Sequence, residues 1–217
     1  MKFGFSVIIV AFVASLIWKS SEAAIGAPNT FGSPPPSGIC RGNKRGLKPA
    51  DGTQIANGFC SSQLFGEIPS SSKMVSTRIL FPQNGGFVKS NQNFTAQVKS
   101  VNLNTGFFSD AATDYYDLPQ QLGANGAING HNHIVIQSLG GPTDVPDPTV
   151  FAFFKGLNDP ADGSGVLNQV VGTANKPGLS PGVYRMCTMT SSFTHQPLIM
   201  PIAQRGPQDD CVNFFVK

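Results

Sequence analysis

Past Ala24 the chain offers no stretch in which apolar residues recur at three- and four-residue steps over about twelve positions, the pattern an amphipathic helix needs. It offers instead a succession of short β-branched and aromatic runs, each closed by Gly, Pro, Asn or Asp, the residues that turn a chain. The candidate strands are Val75 to Phe81, the alternating run that starts at Phe94, His131 to Ser138, Thr149 to Phe154, Val166 to Val171, Val183 to Thr190 and Cys211 to Val216. With 24 Gly and 17 Pro in 217 residues, helices should be short and few. About seven strands at this density predict an all-β fold, an antiparallel β-sandwich of the immunoglobulin-like or Greek-key type with long loops.

Two irregularities interrupt the pattern. Phe94, Ala96 and Val98 alternate with Thr95, Gln97 and Lys99, but the alternation resumes one step out of phase at Val101 and Leu103, which predicts a β-bulge near Lys99-Ser100. Phe107 to Asn129 is long, contains Gly, Asp and Tyr, and carries only a weak period. Loops longer than about 12 to 15 residues are often functional. Tyr115, Tyr116 and Asp117, in the middle of this one, are therefore candidates for a binding face that the loop borders.

The N-terminus predicts the compartment. A basic Lys2, an apolar run from Phe3 to Trp18, and Ser21 and Ala23 placed three and one before a cut describe a secretory signal peptide over residues 1–23. A membrane-spanning helix needs about 20 apolar residues, and this run stops short, so no membrane attachment is expected after cleavage. Residues 24–39, with Pro28, Gly32 and Pro34-Pro35-Pro36, read as an extended leader, and residues 40–217 as a single secreted domain. An even number of cysteines in an exported chain reads as disulfides. Local pairing is expected, Cys40 with Cys60 to tie a loop-rich N-terminal region and Cys187 with Cys211 near the C-terminus. Asn93-Phe94-Thr95 is a glycosylation sequon, making Asn93 the candidate glycan carrier.

Charged residues make up 12% of the chain and the formal net charge is +3, against a usual charged share of about 25%. That excludes a coiled coil, a charge-driven disordered chain, and a nucleic-acid binder held by a strong basic field.

Gly130-His131-Asn132-His133-Ile134-Val135-Ile136, Phe151-Ala152-Phe153-Phe154-Lys155-Gly156-Leu157-Asn158 and His195-Gln196-Pro197-Leu198-Ile199-Met200-Pro201-Ile202-Ala203-Gln204-Arg205-Gly206 together resemble a family of small secreted fungal proteins, abundant in basidiomycetes, whose members have no settled activity. The likeness runs from about Cys40 to Val216. The resemblance implies export from a fungal cell and a single domain, and it carries over no catalytic residues. A first functional reading follows: a non-enzymatic extracellular protein acting at the cell wall or the host interface through its loops. Its expected partner is a wall polysaccharide or a host extracellular protein.

A second reading starts from the histidines, of which there are 3. His131 and His133 are two apart on a candidate strand, so both side chains leave one face while Ile134 and Ile136 face the opposite layer. His195 lies just past another strand. Three imidazoles meeting at one point can hold zinc or copper with a position left open for water. That would make the protein a metal binder or metalloenzyme. Against it, strand histidines usually bond backbone or neighbours, and nothing in the spacing brings His195 to the pair. A copper monooxygenase of the histidine-brace type would need His as its first mature residue, where Ala24 stands.

Other motifs reduce to turns. Gly178-Leu179-Ser180-Pro181-Gly182 has the outline of a hydrolase nucleophile elbow, but Pro181 has no N–H to give an oxyanion. Glycoside chemistry needs two facing carboxyl groups; Asp209 and Asp210 are adjacent and on a strand would point to opposite faces, and Asp114 with Asp117, the least implausible pair, read first as turn formers. Asn158, Asp159, Asp162 and Ser164 miss the calcium-loop spacing. With no Trp after the signal, sugar stacking falls to Tyr115, Tyr116, Tyr184 and the phenylalanines, and the alternating Phe151, Phe153 and Phe154 read as core.

Overall fold

The structure, a computed structural model, describes residues 48–49, 51–53, 59–60, 65–141 and 143–217. The expected signal peptide, the leader and the Cys40–Cys60 bridge lie outside the described residues. Among those residues no α-helix forms, and no helix is long and apolar enough to cross a membrane.

The short strands β1 (Lys48–Pro49) and β2 (Phe59–Cys60) pair with each other in parallel. The rest is two sheets. The smaller is antiparallel, with β5 (Phe94–Val101) between β3 (Ser76–Phe81) and β9 (Val166–Val171). The larger contains β4 (Phe87–Val88), β6 (Leu103–Asn104), β7 (Ile128–Leu139), β8 (Phe153–Leu157), β10 (Gly182–Ser192) and β11 (Cys211–Val216). Its order is β4-β11-β10-β7-β6, with β8 also paired to β7. Ile134, Ile136, Met186 and Phe214 from the larger sheet and Ile79, Ala96, Val98 and Val171 from the smaller meet in one buried cluster. Two pleated layers thus share one apolar core.

The all-β expectation holds, while the pairing departs from an immunoglobulin-like set of about seven antiparallel strands. Both β4 with β11 and β6 with β7 pair in parallel. Strands two residues long show no alternation, so their sequence carries nothing to read. The bulge expected near Lys99-Ser100 is absent: β5 pairs in continuous register with β3 from Val98 to Val101 and with β9 as far as Lys99, and the register shift falls on β3 between Ile79 and Phe81. Ser100 stays in phase with Ala96 and Val98. Its hydroxyl meets that of Thr77 at 2.7 Å and accepts from the Asn132 side-chain amide at 3.0 Å. The apparent slip is a polar residue facing inward, followed by Asn102 at φ 60, where β5 ends and β6 begins. The strand expected from Thr149 starts only at Phe153. Asp147 takes Thr149 into a turn, its carboxylate accepting from the Thr149 N–H at 2.8 Å and hydroxyl at 2.7 Å. Nor are the phenylalanines there all core, since Phe151 and Phe154 are exposed and only Phe153 packs on the apolar cluster.

The longest ladder among the described residues positions the site. β7 and β10 run antiparallel from Val183 opposite Leu139 to Ser192 opposite Gly130. The backbones approach so closely at the latter end that a Cβ on Gly130 would stand 2.1 Å from the Ser191 carbonyl oxygen.

Candidate metal centre

Period-two geometry sends His131 and His133 to one face of β7 and Asn132, Ile134 and Ile136 to the other. Both histidines are covered, His131 at 0% exposure and His133 at 6%. His195 reaches them from a turn beyond β10. Its N–H donates to the Ser192 carbonyl at 3.0 Å, the Ser192 N–H donates to the Gln196 carbonyl at 2.9 Å, and His195 itself sits at φ 73. A non-glycine residue in that region is uncommon and concentrates at functional sites.

The long loop after β6 holds this turn in place. The Ser109 N–H donates to the Phe193 carbonyl at 3.0 Å and the Tyr116 N–H to the Thr194 carbonyl at 2.9 Å. The Thr194 hydroxyl donates to the Leu118 carbonyl at 2.7 Å, and the Gln196 side-chain amide donates to the same oxygen. The loop therefore borders the histidines. Tyr115 lies 6.0 Å from the His195 ring and stacks on Tyr116 at 4.1 Å, while Asp117 is exposed on the outer side of the loop.

The three imidazoles converge. Ring centroids are 4.6 Å apart for His131 and His133, 4.5 Å for His131 and His195, and 5.3 Å for His133 and His195. Each offers one ligand nitrogen, and these lie within 4.8 Å of one another. His131 Nδ1 donates to the Phe107 carbonyl and His133 Nδ1 to the Met189 carbonyl, each at 3.0 Å. A carbonyl only accepts, so in the neutral ring the proton sits on Nδ1 and the lone pair on Nε2. This is the outer hydrogen bond that orients metal-binding histidines. His131 Nε2 and His195 Nδ1 are buried with no hydrogen-bond partner, and a buried polar atom left so costs about 1–3 kcal/mol.

Burial, with repulsion from His133 and His195 behind it, lowers the His131 pKa to about 3 against the pull of the Phe107 carbonyl. Burial likewise lowers His133, opposed by the Met189 carbonyl and Asp209. His195 falls to about 4 through burial and then His133, with Asp110 opposing. All three are neutral at physiological pH, the form that binds metal. Three neutral nitrogens, two of them fixed as Nε2 donors, are a set that suits zinc or copper and leaves a coordination position open.

Aromatic rings wall the centre. Phe154 stacks on His133 at 5.4 Å and Phe108 meets His131 edge-on at 6.2 Å. Burial and a hydrogen bond with Tyr115 push the Tyr116 hydroxyl pKa up. Sequence reasoning missed the Phe107 and Met189 carbonyls, which leave no side-chain signature, and Thr194 and Gln196, whose roles depend on a loop far away in the chain.

The other candidates lie apart from the imidazoles. Cys187 and Cys211 are register partners on β10 and β11 and are bonded, closing a separation of 24 residues. Asn93 is exposed just before β5, its side-chain oxygen accepting from the Gly178 N–H at 3.1 Å. Ser180 lies in a turn into β10, its carbonyl taking the Tyr184 hydroxyl at 2.9 Å. Asp209 accepts from the Thr190 N–H at 2.7 Å and Asp210 from the Ile79 N–H at 2.9 Å, so the pair clamps two different strands. Asp162 shapes its own turn, accepting from the Ser164 and Val166 N–H groups at 2.8 and 3.0 Å.

Residues 77–217, which include all three histidines, match the family model described as the CLU5d N-terminal domain. A protein of Colletotrichum graminicola named "Pathogenicity cluster 5 protein d" is 45% identical to this chain over 174 residues, covering 79% of this chain and 36% of that protein. The chain thus spans little more than a third of the length of the curated relative it matches, at 36%. No solved structure matches it.

Proposed function

This chain belongs to the CLU5d N-terminal domain family of fungal proteins, and from that premise we propose that it is a secreted, disulfide-bonded protein with a virulence-related task outside the cell, carried out through a zinc or copper ion held by His131, His133 and His195. The observation that carries the metal reading is the pairing of occupied Nδ1 atoms on His131 and His133 with the buried, partnerless Nε2 of His131 beside an equally partnerless Nδ1 of His195. A cluster of histidines serving only as packing would spend those nitrogens on neighbours. An ion relieves the burial cost and fills the point at which the three rings converge.

Support for the setting is of a different kind. The relative's name speaks of pathogenicity, residues 1–23 have the layout of an export signal, and the bonded Cys187–Cys211 pair belongs to an oxidising compartment. On this reading the mature chain starts at Ala24, carries a glycan on Asn93, and meets a wall polysaccharide or a host extracellular protein. Three protein ligands serve binding and catalysis alike, so the proposal concerns the ion and not a reaction.

Metal analysis and calorimetric titration with zinc and copper test it on the purified chain. The expected result is about one ion per chain, with affinity at least tenfold weaker in His131→Ala. His195→Ala, in a turn outside the ladder, gives a second variant if the first folds poorly. No uptake by the native protein, or equal uptake by both folded variants, ends the metal reading.

A further inference from the structure

We propose that the cleft between β8 and β9 binds a neutral oligosaccharide and lays it alongside the metal centre, a step that rests on the metal reading only for what lies at the end of the cleft. The cleft has a volume of about 450 Å³, within the range of about 300–1,000 Å³ usual for ligand sites. Lys155, Asn158, Asp159, Asp162, Asn168 and Gln169 supply its polar lining. One cation against two carboxylates leaves a net charge of −1, which repels a phosphate, and the Asp162 carboxylate is already spent on Ser164, Val166 and Asn168, so Lys155 faces a single open carboxylate and no excess charge remains for a polyamine. Leu157 and Leu167 also line it but are buried in the core, so little apolar surface remains for a lipid. What the cleft presents is a mixture of donors and acceptors, the complement of a hydroxyl-rich ligand.

One wall is already organised. The Asp162 carboxylate accepts from the Ser164 hydroxyl at 2.6 Å and the Asn168 amide at 3.3 Å, and the Gln97 amide donates to the Asn168 side-chain oxygen at 3.0 Å. On the other wall the Lys155, Asn158 and Asp159 side chains make no hydrogen bond or ion pair among the described residues. Their polar atoms are available to a ligand.

β8 alone separates the cleft from the histidine strand β7. Gly156 lines the cleft and is the register partner of His133. A Cβ on Gly156 would stand 2.6 Å from the Asn158 side-chain oxygen, so the missing side chain lets the Asn158 amide fold over the strand next to His133. On the same strand Phe154 stacks against His133 and remains 44% exposed. It offers a flat apolar ring on which a pyranose can lie.

Titration of the full-length mature chain with cellohexaose, xylohexaose and chitohexaose, by calorimetry and by amide shifts in NMR, tests the cleft. At least one hexasaccharide is expected to bind and to shift the amides of Lys155 to Asn158. The double variant Asn158→Ala/Asp159→Ala, at a half-buried and an exposed position, should weaken that binding at least tenfold with metal content unchanged, whereas His131→Ala should leave it within about twofold. Absence of binding by all three sugars at about 10 mM overturns the proposal, as does equal binding by the double variant. Binding lost in His131→Ala but retained in the double variant places the sugar at the imidazoles and also overturns it. Metal-free native protein that binds a hexasaccharide through the cleft would sustain this inference while defeating the metal reading, so the two fail separately.

Discussion

His131 is covered completely and has two further imidazoles for neighbours. Burial and repulsion both disfavour its charged form. Its pKa falls from 6.5 to about 3 and that of His195 from 6.5 to about 4. Because the folded values lie below the unfolded one, the unfolded chain binds more protons at mildly acidic pH. The stability these rings contribute is therefore intact above about pH 6.5 and is lost as pH falls toward the folded values. For the metal-free protein the unfolding free energy from urea titration should drop between about pH 7 and pH 4.5, by at most about 1.4 kcal/mol per pH unit from His131 and less from the more exposed His195. His131→Phe should flatten part of that slope. An identical slope in the variant contradicts the burial argument. Of the three ligands, the strand pair was legible as residues two apart on one face. His195 was not, because its approach depends on Thr194, Gln196 and the Leu118 carbonyl.

At the scale of elements, the close ladder between β7 and β10 carries the site, and Gly130 sits at its root. A Cβ there would meet the Ser191 carbonyl oxygen at 2.1 Å, and backbone cannot swing aside as a side chain can. Gly130→Ala should therefore cost about 1–3 kcal/mol in thermal or urea unfolding. It should also weaken metal binding several-fold, since His131 is the next residue and Ser191 its register partner. Gly206→Ala, where nothing stands within 4 Å of the new carbon, should change neither. Equal behaviour of the two variants would show that the close approach does not matter. Long strands with sustained alternation, β7, β10 and β11, could be read directly. The end of β5 breaks the apolar alternation because Ser100 is polar and faces inward, satisfied by Thr77 and Asn132 from two other strands. Period-two reading assumes that inward residues are apolar, and it fails where distant partners make a polar one acceptable.

For the molecule as a whole, two sheets close over one apolar cluster and a disulfide joins β10 to β11, and the export proposed above carries its own test. Material recovered from a secreting fungal host should begin at Ala24 and lose mass on enzymatic removal of N-linked glycans. Asn93→Gln should abolish that loss. Retention of residues 1–23 in the product, or a mass unaffected by deglycosylation, would contradict the export and glycan readings respectively. The all-β class, the shared face of His131 and His133, and the Cys187–Cys211 bond were open to inspection in the linear chain, because alternation, turn residues and local cysteine spacing are properties of neighbours. The order of strands, the parallel pairing of β4 with β11 and of β6 with β7, the arrival of His195 and the cleft between β8 and β9 came from folding alone. Each depends on segments far apart in the chain that meet because burying the common core and satisfying loop carbonyls leave them no better place, and no local pattern records such a meeting.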